Sequence, residues 1–189
     1  MRTVEDQSFE NTNFTTETFA ESEFDNCLFI NCNLSESDLS NKRFIECEFR
    51  DCNLSLARLT NTAFRDVKFV NCKMLGLRFD DCHEFILSFN FENCILNHSS
   101  FFKTRLKKTL FRNSRLQEVD FTDCDLTGSV FDSCNLAGSV FYNTILEQAD
   151  LRTSINYSID PEQNRIKKAM VSSAGLHGFL EKYQLQIEP

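Results

Sequence analysis

Large apolar residues recur at every fifth position through most of the chain. A first frame runs through Phe9, Phe14, Phe19, Phe24, Phe29, Leu34, Leu39, Phe44, Phe49, Leu54, Leu59, Phe64, Phe69, Met74 and Phe79, and a second through Phe91, Leu96, Phe101, Leu106, Phe111, Leu116, Phe121, Leu126, Phe131, Leu136, Phe141, Leu146 and Leu151. An α-helix repeats its buried face every 3.6 residues and a β-strand every two, so neither explains this period. The pattern therefore predicts a repeat architecture.

One irregularity separates the two frames. Phe79 and Ile86 are seven residues apart instead of five, so two extra residues enter before Ile86 opens the second frame. Two interpretations are open. The extra residues are accommodated at a corner while Phe85, Leu87 and Phe89 repack locally, or they form a dedicated contact loop.

The residues around each centre of a pentad follow rules as well. Two places before the centre the side chain is nearly always small, as at Cys47, Ser99 and Thr144. The places one before and two after the centre are often Asn or Asp. We therefore expect the centre and the small residue to face inward and the other three positions to face outward.

The nine cysteines keep to the small position. Cys32, Cys52 and Cys72 lie twenty residues apart and are expected to stack, at a spacing that a disulfide could bridge. We favour buried, reduced thiols, because a cytosolic chain keeps its cysteines reduced. A zinc site is not expected, since the chain has no Cys-x-x-Cys motif and its histidines lie outside the cysteine columns.

Several segments resemble the consensus of the pentapeptide-repeat family. They are 124–128 (Cys-Asp-Leu-Thr-Gly), 134–138 (Cys-Asn-Leu-Ala-Gly) and 149–152 (Ala-Asp-Leu-Arg), and the resemblance covers roughly residues 7–155. It implies an all-β solenoid, a right-handed quadrilateral β-helix of about seven coils with four pentads per coil. We assign the β-helix to residues 1–156.

The period stops after Leu151, and we assign residues 157–189 to a small C-terminal helical cap. Asp160, Pro161 and Glu162 form a helix-start signature. A second helix is predicted after Ser172 or Ser173, followed by a short extended tail with Leu185 and Ile187. The apolar stripe of this second helix consists of Leu176, Phe179, Leu180 and Tyr183. We expect this stripe to cap the last coil, and its sharper interpretation is a two-fold homodimer contact.

Charge is unevenly distributed over the 189 residues, whose net charge is −8. Residues 1–40 hold nine acidic and one basic residue, whereas residues 41–120 hold ten acidic and fourteen basic ones. No stretch is apolar enough to span a membrane and the first ten residues carry no secretory core, so we expect a cytoplasmic protein. No catalytic or phosphate-binding motif occurs, and His83-Glu84 lacks a nucleophile, so we expect no enzyme and no cofactor.

Within the family, the chain resembles the Qnr, MfpA and McbG group. It is similar to McbG in total length and in the segment that follows the repeats, residues 160–166 of this chain. The resemblance implies a dimeric acidic rod that binds DNA gyrase or topoisomerase IV where DNA would lie, protects it from quinolones or peptide toxins, and contacts no nucleic acid itself. The candidate partner-binding carboxylates are Asp120, Asp123, Asp125, Asp132 and Asp150, with Glu17, Glu21, Glu23, Asp25, Glu36 and Asp38 nearer the N-terminus. The alternative is a scaffold for another protein, bound through the mildly basic middle of the chain, residues 41–120, or through the exposed aromatics Phe102 and Tyr142.

Overall fold

The computed structural model describes residues 3–15, 22–84 and 87–186. Its strands are β1 Thr3–Glu5, β2 Ser8–Glu10, β3 Glu23–Asp25, β4 Leu28–Ile30, β5 Arg43–Ile45, β6 Glu48–Arg50, β7 Ala63–Val70, β8 Leu87–Glu92, β9 Leu110–Arg112 and β10 Val130–Asp132. Three 3-10 helices span Phe79–Asp81, Ser173–Gly175 and Glu181–Tyr183, and one short helix, α1, spans His177–Leu180. None of the described helices is long and apolar enough to cross a bilayer.

Every pairing among these strands is parallel and joins residues one coil apart. Phe24 pairs with Phe44, and Phe29 with Phe49, which is a step of twenty residues. Isolated bridges continue the same ladder where the strands are too short to be assigned, as between Asp125 and Ile145. This register confirms the predicted right-handed quadrilateral β-helix with a small helical cap.

The large centres form four columns, one for each side of the coil, and most of them are fully buried. The first side contains Val4, Phe24, Phe44, Phe64, Leu106, Leu126 and Leu146; the second Phe9, Phe29, Phe49, Phe69, Phe91, Phe111, Phe131 and Leu151; the third Phe14, Leu34, Leu54, Met74, Leu96, Leu116 and Leu136; and the fourth Leu39, Leu59, Phe79, Phe101, Phe121 and Phe141. Within a column the rings stack, with centroids 5.2 Å apart for Phe91 and Phe111 and 4.9 Å apart for Phe111 and Phe131. Such offset stacks add to the free energy of burial.

Many of the small residues two places before a centre are held by hydrogen bonds between coils. The Cys47 Sγ donates to the carbonyl oxygen of Phe24 at 3.4 Å, and the Thr144 Oγ1 donates to that of Phe121 at 2.8 Å. A small side chain with a donor therefore fits this position better than a merely small one. All nine cysteines are buried free thiols, as the sequence predicts. Burial raises the pKa of the Cys47 thiol to about 12.

Position two after the centre is the corner of the coil. Its backbone is left-handed, with φ of 50° at Asn31, 60° at Asn41 and 58° at Asp123. Asn and Asp tolerate this conformation better than other residues that carry a Cβ, which explains the polar residues that the sequence shows here. Their side chains also bond between coils, since the Asn61 Nδ2 donates to the Asn41 Oδ1 at 2.9 Å.

The irregularity between the frames changes the register of the ladder. Strand β7 pairs with β8 through Phe69 and Phe91, a step of twenty-two residues instead of twenty. Phe89 turns inward into the position of a small residue, and its ring centroid lies 5.2 Å from that of Phe79. Local repacking is thus present for Phe89, while Phe85 and Ile86 lie outside the described residues.

The chain beyond Leu151 departs from the expectation of a first helix. Residues 161–164 form a turn, and Arg165 and Met170 pair in parallel with Ile145 and Asp150. The helix predicted from the signature at residues 160–162 is therefore wrong. The β-ladder continues past residue 156, and the division into units 1–156 and 157–189 stays a prediction.

Asn164 gives the physical reason for this difference. Its Nδ2 donates to the carbonyl oxygens of Phe141 at 3.0 Å and Asp160 at 2.9 Å, and its Oδ1 accepts from the Thr144 amide at 2.8 Å. The side chain thus fills the small position of one further coil. These bonds satisfy buried main-chain groups that a helix would have left unpaired.

The second predicted helix is present as α1, shorter than expected and flanked by the two 3-10 turns. Phe179 is buried and packs edge-on against Tyr157, with ring centroids 5.6 Å apart. Leu180 is half-buried, whereas Leu176 and Tyr183 are exposed. The stripe therefore covers the last coil with its middle only. Ile187 of the predicted tail lies outside the described residues.

Candidate partner-binding surfaces

The seven predicted partner-binding residues lie on three of the four sides. Asp125 flanks the first side, and Asp132 and Asp150 flank the second, as their pairings with Ile145, Arg112 and Val130 show. The remaining four, Phe102, Asp120, Asp123 and Tyr142, belong to the fourth side and its corner. The predicted residues thus do not form one acidic strip, but four of them come together.

Main-chain bonds align these four residues on three successive coils. The main chain of Asp120 forms parallel β-bridges with Ser100 and with Val140. The Lys103 amide donates to the Thr122 carbonyl oxygen at 3.0 Å, and the Asp123 amide donates to that of Tyr142 at 2.9 Å. We call Phe102, Asp120, Thr122, Asp123 and Tyr142 the fourth-side patch.

Aromatic surface dominates the two ends of this patch. The Tyr142 side chain is 55% exposed. Phe102 is half-buried, and the Lys103 Nζ lies 4.7 Å from the centroid of its ring. Phe102 and Asp120 also line a cleft of about 550 Å³ beside Arg78. The patch therefore combines aromatic area, which is enriched in protein interfaces, with carboxylates, which suit electrostatic steering.

Three of the predicted carboxylates are compensated by neighbouring bases. The Asp125 Oδ2 lies 3.1 Å from the Lys107 Nζ, and the Asp132 Oδ2 lies 3.4 Å from the Arg112 Nε. Arg152 forms a bidentate ion pair with Asp150. The hydrogen bond from Arg152 lowers the pKa of Asp150. Each of these three negative charges is therefore offset locally.

Asp120 and Asp123 differ from these three. The Asp120 Oδ1 accepts from the Thr122 amide at 2.8 Å, and the Asp123 Oδ1 accepts from the Asn143 Nδ2 at 2.5 Å. Within the described parts of the chain neither carboxylate has a basic partner. Both negative charges are therefore held in place by neutral donors and remain available to a positively charged partner.

The acidic residues nearer the N-terminus are partly offset. Glu23 pairs with Arg43 at 3.1 Å, and Asp38 pairs with Arg58 at 3.7 Å. Glu36 is exposed at a corner of the coil. Glu17 and Glu21 lie outside the described residues. Over residues 3–15, 22–84 and 87–186, no three His, Cys, Asp or Glu side chains are grouped so that they could hold a metal ion.

Exposed aliphatic residues near the cap are a feature that the sequence analysis missed. Ile155, Met170 and Leu185 are exposed together with the predicted Leu176 and Tyr183. A signal for the first two existed. Each takes the outward place one before a centre position if the five-residue frame is extended beyond Leu151.

Comparison with protein families identifies the repeat. The model of the pentapeptide repeat region matches residues 22–90 and 84–151, which together are more than half of the chain. The chain belongs to the pentapeptide-repeat family. No curated protein sequence matches this pentapeptide-repeat protein.

Solved structures of other pentapeptide-repeat proteins share the fold. Full-length QnrB1, a plasmid-mediated fluoroquinolone resistance protein, is 16% identical with a TM-score of 0.62, over 97% of this chain and 100% of QnrB1. A trypsin-treated variant of QnrB1 is 16% identical with a TM-score of 0.63, over 96% of this chain and 99% of the variant. HetL from Nostoc sp. strain PCC 7120, involved in heterocyst differentiation regulation, is 14% identical with a TM-score of 0.54, over 92% and 88%. At these identities the likeness shows the fold alone.

Proposed function

We propose that this pentapeptide-repeat protein is a non-enzymatic, cytoplasmic binding protein that occupies the DNA-binding groove of a type II topoisomerase, DNA gyrase or topoisomerase IV. The observation that carries the proposal is the pair Asp120 and Asp123, whose carboxylates have no basic partner among the described residues. Both lie one coil from Tyr142, whose side chain is exposed. The proposal extends to protection of the topoisomerase from quinolones or peptide toxins.

The physical basis is a rigid wall that presents fixed charges. The side chains of the fourth-side patch project from a packed coil, so little conformational entropy is lost when they are bound. Carboxylates facing a groove that evolved for phosphates gain the same electrostatic steering as DNA. The Tyr142 ring provides the large apolar contact that interface hot spots require. The likeness to QnrB1, itself a fluoroquinolone resistance protein, supports this choice of partner.

A supercoiling assay with purified DNA gyrase tests the proposal. We expect the protein to change supercoiling at low salt and to lose this effect as salt rises. The double variant Asp120→Lys, Asp123→Lys should lose the effect. The matched control is Asp132→Lys, because Asp132 lies on the second side and is already offset by Arg112. An effect that survives the double variant, or no effect on gyrase at low salt, rejects the proposal.

A second function has its own observation in its favour. Phe102 and Tyr142 place aromatic area on one side of the rod, which also suits a scaffold that binds a protein other than a topoisomerase. A pull-down should then return one partner that is lost on Phe102→Asp and retained on charge reversal at Asp123. If both variants lose the same partner, the charged mode of binding is favoured instead.

We also propose that two copies associate through the cap. Leu176 and Tyr183 of the cap are exposed, and so are Ile155 and Met170, which end the β-ladder at the same end of the chain. Isolated exposed apolar residues are common, but several at one end of a rod indicate an interface. Phe179 and Leu180 contribute by holding the cap in place.

A further inference from the structure

A second charged surface lies on the first side of the coil, next to the fourth-side patch. Lys103, Arg105, Lys107 and Lys108 fall within six residues and all four are exposed. We call them the basic patch. Of these four, only Lys107 takes part in an ion pair within the described parts of the chain, and its partner is Asp125. The remaining three form no ion pair within the described residues, although Arg105 lies one coil from Asp125 in the ladder.

The basic patch adjoins an aromatic cleft. The cleft has a volume of about 420 Å³, and its lining includes Phe102, Lys103 and Arg105 together with the acidic Asp80 and Glu84. The Asp80 carboxylate is already paired with Arg78 at 2.8 Å, which leaves Glu84 as the acid at the cleft without a basic partner among the described residues. The Lys103 ammonium lies 4.7 Å from the Phe102 ring centroid. A planar aromatic group that enters the cleft can therefore stack on Phe102 while its anionic substituents reach Lys103 and Arg105.

The spacing of the cations fits a repeating anion. Arg105 and Lys107 flank the buried centre Leu106, so their side chains leave the same side of the coil about 6.6 Å apart. Lys107 and Lys108 are not part of the cleft lining, so a ligand that uses the whole patch must extend beyond the cleft. We propose that single-stranded nucleic acid binds here, with one base stacked on Phe102 and consecutive phosphates on Arg105, Lys107 and Lys108.

The net charge of −8 does not oppose this site at moderate salt. The Debye length is about 10 Å at 0.1 M salt, so a bound strand senses the adjacent basic patch and is screened from the acidic ends of the rod. The site shares Phe102 with the fourth-side patch but does not include Asp120 and Asp123, which would repel phosphate. Its test contains no topoisomerase, so its failure would leave that proposal unaffected.

Fluorescence anisotropy with a labelled twenty-nucleotide oligo-dT tests the site on the full chain. We expect binding at 50 mM salt. The logarithm of the association constant should fall with the logarithm of the salt concentration at a slope of about −2 to −3, as three or four phosphate contacts imply. Arg105→Glu should weaken binding about tenfold or more, since phosphate contacts dominate such affinities. Arg115→Glu is the matched control, because Arg115 is also exposed, also precedes a centre, and lies on the third side.

Phe102→Ala tests the stacked base. We expect a loss of about fivefold or more, the lower limit for removal of one stacking platform, with an unchanged salt slope. Tyr142→Ala should leave binding unchanged. Equal losses for Arg105→Glu and Arg115→Glu would overturn the site, as would no binding at 50 mM salt. Equal affinity for oligo-dT and for a poly-glutamate peptide of the same charge would overturn the nucleic acid ligand in favour of an acidic protein segment.

Discussion

A phenylalanine at the centre of a pentad is held by the rings above and below it more than by its own strand. Most strands here have three residues, too few to be stable alone. Phe111 is fully buried, with the rings of Phe91 and Phe131 stacked on its two faces. Each ring therefore connects two interfaces between coils, and its removal weakens both.

Phe111→Ala should lower the free energy of unfolding by about 3–5 kcal/mol, because it leaves a cavity that two packed coils cannot fill. Urea unfolding followed by circular dichroism measures the change as a shift of the midpoint. Tyr142→Ala is the control, since more than half of this side chain is already exposed, and we expect a change within about 0.5 kcal/mol. Similar costs for the two variants would contradict the packing described for the column.

The buried thiols give a second prediction. Burial raises the pKa of both Cys47 and Cys134 to about 12 from an ordinary value of 9.0. The folded state therefore holds these protons more tightly than the unfolded state, and the resulting stability is complete below pH 9 and lost as the pH rises toward 12. We expect the unfolding midpoint to fall across this interval.

A thiol-reactive dye gives an independent measurement of the same burial. The native protein at about pH 8 should react slowly at all nine cysteines, and the urea-unfolded protein rapidly. The variant Cys47→Ser, Cys134→Ser is the control for the pH effect, and its alkaline loss of stability should be smaller. Rapid reaction of several native thiols would show that the columns are open to solvent.

At the scale of elements, the sequence predicts the coils well and the end of the ladder poorly. The five-residue period fixes which side chains are inside, because every coil repeats the same contacts. The last coil was missed because the centre positions 156 and 161 hold Asn and Pro, although Ile166 and Val171 stand twenty residues after Leu146 and Leu151. The helix-start signature at Asp160 is local, and the hydrogen bonds between coils override it.

The candidate site could be predicted only in part for a related reason. A list of carboxylates does not show which are offset, yet the twenty-residue column already places Arg112 beside Asp132. Lys107 and Asp125 are eighteen residues apart and pair diagonally, which a column alone does not indicate. The left-handed backbone at the corners could not be predicted either, because a preference for Asn at a position has several causes.

The cap offers a prediction about an element as a whole. A Cβ at Gly178 would lie 2.3 Å from the Tyr157 carbonyl oxygen and 2.8 Å from its ring, so Gly178→Ala should displace α1 from the last coil. We expect faster proteolysis within residues 172–186 and a lower unfolding midpoint. His177→Ala, an exposed neighbour in the same helix, should change neither. Unchanged proteolysis of Gly178→Ala would mean that the cap does not depend on this contact.

In the molecule as a whole, the rod has a capped C-terminal end that still exposes several apolar side chains. Phe179 and Tyr157 close the core there. The exposed side chains of Leu176 and Ile155 remain outside this contact. Because a two-fold contact buries the same patch on both copies, a few such residues are enough to cover a large apolar area. Association through the cap would leave the sides of both rods free for partners.

Size-exclusion chromatography with light scattering should therefore give about 43.8 kDa, twice the 21.9 kDa of one chain. Leu176→Asp should shift the mass toward 21.9 kDa, because the interface would have to desolvate two carboxylates without a partner for either. Val140→Asp is the matched control, since Val140 is about as exposed as Leu176 but lies on the fourth side. A monomeric native protein, or dissociation by Val140→Asp as well, would argue against the cap as the dimer contact. If Leu176→Asp yields monomers that still act on gyrase, the partner surface belongs to a single rod.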